Sequence, residues 1–108
     1  MGDAHKQVVY TGPWVDAQEA SRRYPETYEA PTGVELAALA VGAHIRLNNG
    51  EERFWVILTE VGAPTSEEDP YTRTYRGTIC NRLVGDVGDY DYGDTVEFAG
   101  SSIHTISA

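Results

Sequence analysis

Apolar positions from residue 43 onward recur every second residue; before that they recur at helical spacing. In 43–47, Ala43, Ile45 and Leu47 share one side and His44 and Arg46 the other, the pattern of a half-exposed strand. Asn48-Asn49-Gly50 is a hairpin turn signal. It leads into 53–61, the most apolar run of the chain, with Phe54, Val56 and Leu58 on one face and Trp55, Ile57 and Val61 on the other. A strand apolar on both faces calls for cover on both. A third strand is expected over 73–80, with Tyr75 and Ile79 inward and Gly77 marking a bulge or bend. Gly93-Asp94 opens a fourth, with Val96 and Phe98 inward, and 103–106 makes a short fifth. Two long loops, 62–72 and 81–92, join the central strands.

The N-terminal third supplies the remaining apolar material. Residues 7–11 can form a short edge strand before Gly12-Pro13. Asp16 with Glu19 three places on resembles a capping box and predicts a helix over 16–24, ended by Pro25, with Ala17, Ala20 and Tyr24 on its buried face. Thr32 and Glu35 repeat the device before a helix over 33–40. The pattern therefore predicts one α+β domain over 1–108: a poorly patterned segment 1–13, a helical cover 14–40 and a sheet 43–106. The sheet is expected to be a five-stranded antiparallel curled sheet or small SH3-like barrel, with the N-terminal helical segment packed on one side against Trp55 and Ile57.

Residues 39–47 and 90–98 echo each other, each with an apolar residue, then Gly, then an alternating strand. Gly50-Glu51-Glu52-Arg53-Phe54-Trp55-Val56, Thr59-Glu60-Val61, Tyr75-Arg76-Gly77-Thr78-Ile79-Cys80-Asn81 and Tyr92-Gly93-Asp94-Thr95-Val96-Glu97-Phe98 form a set. Over about residues 36–106 that set resembles the uncharacterised YegJ-like bacterial family, whose strands carry G-E-x-F-W-V, x-G-x-(V/I)-x-N and G-D-x-V-x-F. The resemblance implies a small β-rich domain and supplies no catalytic residue. It does not reach residues 1–30.

Charge narrows the function. A net charge of -9 opposes nucleic-acid binding and docking on anionic lipid, both of which need a basic surface. No apolar run approaches the length of a membrane helix, and the N-terminus lacks the layout of a secretory signal, so a cytoplasmic protein is expected. Cys80 is the only cysteine and has no internal partner. Three histidines, His5, His44 and His104, show no metal-ligand spacing, and no nucleophile elbow or phosphate loop occurs. Asp86, Asp89, Asp91 and Asp94 cluster without the spacing of a calcium loop and read as a solvated acidic loop. No cofactor and no enzymatic activity are expected.

What stands out is acidic, tyrosine-bearing loops: Tyr71, Tyr90 and Tyr92 with Asp69, Asp89 and Asp91, flanked by Glu67, Glu68, Asp86 and Asp94. Converging at one end of the fold, they would hold a basic segment of another protein. The same residues also read as half-buried turn tyrosines and solubilising acids. Two other functions fit the composition: an acidic nucleic-acid mimic that inhibits a DNA- or RNA-handling enzyme, and a single-strand-binding barrel that stacks bases on Trp55 and tyrosines. The oligomeric state is open, with edges at 43–47 and 103–106 available for pairing.

Overall fold

The central strand is β3, Arg53–Val61, and the chain builds outward from it on both sides. The computed structural model describes residues 8–62, 70–85 and 90–107. In chain order these form β1 (Val9–Tyr10), α1 (Ala17–Arg23), α2 (Gly33–Ala37), β2 (His44–Asn48), β3, β4 (Thr74–Ile79), β5 (Thr95–Ala99), a 3₁₀ turn (Gly100–Ser102) and β6 (Thr105–Ile106). The sheet order is β1-β5-β4-β3-β2-β6. β1 runs parallel to β5, and every other neighbour is antiparallel.

The expected five-stranded antiparallel sheet or SH3-like barrel is therefore corrected. The sheet is mixed and six-stranded, it carries two short helices, and it stays open between β1 and β6. The sixth strand comes from Val9-Tyr10, whose pairing to Thr95-Val96 lies far off in sequence and leaves no local signature.

Alternation is obeyed on both sides of β3. Phe54, Val56 and Leu58 are buried with Ile45, Leu47, Tyr75, Ile79, Val96 and Phe98 in one cluster. Trp55 and Ile57 face the other way and stay half-exposed. The cover expected there lies on the opposite face. Leu36 and Leu39 join the cluster around Phe54, Trp14 packs edge-on to Phe54 at 5.9 Å, and the Tyr75 hydroxyl donates to the Leu36 carbonyl at 3.2 Å. Trp55 has a local partner instead. Its cross-strand neighbour Arg46 lays its guanidinium 4.5 Å from the ring centroid, so a cation over an aromatic face replaces a lid.

Val61 also departs from the expected face. The β3–β4 register shifts between Leu58 and Glu60, and the shift brings Val61 round to pair with buried Tyr75. A bulged strand reverses its alternation past the extra residue. The bulge sits beside Gly77, where any Cβ would collide with Val56 Cγ1 and come within 2.5 Å of the Ile57 carbonyl oxygen. Gly77 is therefore a close-approach glycine.

Both helices begin on the caps that the sequence indicates. The Asp16 carboxylate accepts from Glu19 N at 2.9 Å, and Thr32 and Glu35 close a reciprocal box. α1 buries Ala17, but Tyr24 falls after its last turn and is 56% exposed.

Candidate functional site

The described ends of the two long loops lie at opposite ends of the sheet. β4 is a single short strand between them, so the chain enters it at one end of the sheet and leaves at the other. Successive antiparallel hairpins alternate ends. Tyr71 lies on the entry side, where its carbonyl accepts from Ser101 N at 2.9 Å and its hydroxyl lies beside Gly33. Tyr90 lies on the exit side and is buried, ringed by Tyr10 at 5.4 Å, Trp14 at 5.4 Å and Phe54 at 6.1 Å. Tyr92 is 59% exposed with the Arg82 guanidinium 5.9 Å from its ring. Asp69 and Asp89 lie outside the described residues.

The acids beside Tyr92 face their own backbone. Asp91 accepts from Leu83 N at 2.9 Å and Tyr92 N at 2.7 Å, and these N–H groups hold its carboxyl below the usual carboxylate range. Asp94 accepts from Asp91 N, and Glu52 accepts from Val84 N and Gly85 N. These carboxylates staple the loop together. Of the loop tyrosines, Tyr92 alone stands mainly in solvent.

A different place gathers unused chemistry: the free edge of the sheet along β6. Thr105 and Ile106 pair with Arg46 and Ile45, and Ser107 N donates to the His44 carbonyl at 2.9 Å. That bond makes Ile45 and Ile106 a non-hydrogen-bonded pair, so the Ile106 N–H and C=O point away from β2 toward the edge. Sheet order ends there among the described residues.

The opposite wall is residues 25–31, and the fold fixes it in three ways. Tyr28 N donates to the Tyr24 carbonyl at 2.9 Å, closing a turn after α1. Gln18 Nε2 donates to the Pro31 carbonyl at 2.8 Å. The Tyr28 ring sits 6.2 Å from the His104 ring and under the Arg53 guanidinium at 5.4 Å. Between this wall and β6 lies a groove of about 430 Å³. Glu26, Glu29 and Glu35 line it, with Arg53 as the one Lys or Arg among its described lining residues. The Glu35 carboxylate is held by Thr32, whereas Glu26 and Glu29 carry no ion pair or hydrogen bond among the described residues.

His104 forms the floor. It is 5% exposed, and its Nε2–H donates to the Val15 carbonyl at 3.3 Å. Burial pushes its pKa down, and the hydrogen bond to Val15 opposes that shift. A second hollow, of about 470 Å³, continues along the same edge and shares Glu35 and Ile106 with the first. Its lining is apolar: Ala38, Leu39, Val41 and Ala43. None of this was legible as a site in the sequence. The walls come from separated segments, and Glu26 and Glu29 lie in a stretch whose sequence gives no sign of a site.

No group of three or more metal-ligating side chains occurs among the described residues. No helix among them is long and apolar enough to cross a membrane. The chain matches no protein-family model, no curated protein and no solved structure.

Proposed function

We propose that the protein is a non-enzymatic interaction module that holds an extended, basic segment of another protein in the groove beside β6. The observation that carries this reading is a strand edge, free among the described residues, that faces Glu26 and Glu29, two carboxylates with no ion pair among those residues. An exposed edge offers backbone hydrogen bonds to an added strand, and side-chain hollows beside it select which strand is added. The overall charge of -9 favours a basic partner at long range. The site differs from the paired loops that the sequence suggested, while the class of function and the sign of the partner are the same. We assign the module to the cytoplasm, where the lone Cys80 stays reduced.

A nucleic-acid mimic would turn its carboxylates outward in a row. Asp16, Glu35, Glu52, Asp91 and Asp94 instead accept hydrogen bonds from their own chain. The test is an array of immobilised decapeptides in extended, Gly-free backgrounds, with Arg, neutral or Glu residues substituted in turn. Arg peptides should bind, and the double variant Glu26→Gln, Glu29→Gln should lose that preference. Equal binding of Arg and Glu peptides would contradict the proposal.

A further inference from the structure

The two hollows along β6 differ in chemistry and share a boundary, and the strand register orders them. Arg53 pairs with Asn48 at one end of β2, whereas Ala43 directly precedes the other end. Ile106 sits between them, opposite Ile45. The polar hollow, with Glu26, Glu29 and Arg53, therefore lies toward the Asn48 end. The apolar hollow, with Leu39, Val41 and Ala43, lies toward the His44 end. Both are open to the same free edge, and both touch Ile106.

We infer that the ligand of this edge is bipartite: an extended segment with an Arg or Lys for the acidic hollow and an aliphatic side chain for the apolar one. The inference rests on the interaction reading above and adds the spacing. At strand rise, the distance between the ends of β2 corresponds to roughly four to five residues of extended chain. The ligand's basic and aliphatic residues therefore sit about four positions apart, on either side of the residue that meets the Ile106 N–H and C=O. Charge complementarity at one end and apolar lining at the other exclude an acidic segment and an all-polar one.

The test is a series of fluorescein-labelled dodecapeptides in a Thr/Ser background, each with an Arg pair and one Leu placed one to seven positions from it, read by anisotropy against the full chain. Affinity should peak near a separation of four. The peak should stand about tenfold above the peptide lacking Leu, the effect of burying one aliphatic side chain. Val41→Asn should flatten the peak and leave the Arg-dependent binding. Glu26→Gln with Glu29→Gln should weaken every peptide in the series. Arg-dependent binding that ignores both Leu and its spacing would overturn this inference and leave the interaction reading standing. Failure of every Arg peptide to bind would overturn both. Val41 and both glutamates are exposed, and a circular dichroism melt on each variant separates lost binding from lost fold.

Discussion

The sheet finishes its two edges in opposite ways. On the β5 side, β1 adds two residues in parallel, and just beyond it the Trp14 indole N–H donates to the Glu97 carbonyl at 2.8 Å. That ring also packs edge-on against Phe54 and Tyr90. One side chain thus caps an unpaired carbonyl and seals the core. On the β2 side, β6 also adds two residues, yet the Ile106 N–H and C=O face a groove instead of a cap. An edge left open is an aggregation hazard unless it is short or charged; this one is two residues long and faces Glu26 and Glu29 across the groove. The difference teaches that the same device, a two-residue strand, closes a sheet or offers it, depending on what the neighbouring chain brings.

Breaking the closed edge should cost most. Trp14→Ala removes the cap and the aromatic packing together and should destabilise by about 3 kcal/mol, seen as a lowered urea midpoint. Trp14→Phe keeps most of the ring and loses the hydrogen bond, for about 1 kcal/mol. On the open edge, Ile106→Pro should leave the β2 ladder intact, because the N–H it removes points away from β2. It should cost about 1–2 kcal/mol through lost packing and abolish peptide binding. If Ile106→Pro unfolds the protein as Trp14→Ala does, the two edges are not different in kind.

Acid should act on the open edge first. Burial lowers the folded-state pKa of His104 below its unfolded value, so the unfolded chain takes up the proton more readily. The stabilisation due to neutral His104 is complete above the unfolded pKa. It is lost as pH falls from there through the folded pKa. Thermal midpoints should therefore drop from pH 7 to pH 5, and His104→Phe should flatten that part of the profile. Asp91→Asn should mainly raise amide exchange at Leu83 and Tyr92, whose N–H groups donate to its carboxylate. Glu26→Gln with Glu29→Gln should change stability least, within about 0.5 kcal/mol.

How far the sequence reached follows from the range over which each feature is determined. Strands and helix caps are local, and period-two runs, Asp16 and Thr32 marked them well. The covered face was misjudged because Arg46 stacking on Trp55 is a cross-strand contact that no one-strand pattern carries. Val61 was placed on the wrong face because a bulge resets alternation. Tyr90, which the sequence offers both as a ligand-facing loop residue and as a half-buried turn residue, lies in the core with Trp14, a contact between residues far apart in the chain. The expected convergence of the two loops fails because a short strand between two successive hairpins puts their described ends at opposite ends of the sheet. The groove was not legible, because residues 25–31, 38–43 and 104–106 come together only in the fold.

The central claim is that the open edge along β6 receives a basic segment. A ¹H–¹⁵N correlation titration of the full chain with an Arg-Arg, Leu dodecapeptide maps it directly. The account predicts the largest shifts at Ile106, Ser107, Glu29 and Val41, with Tyr92 and the Trp14 indole unmoved. Shifts centred on Tyr92 and Asp91, with Ile106 silent, would contradict it.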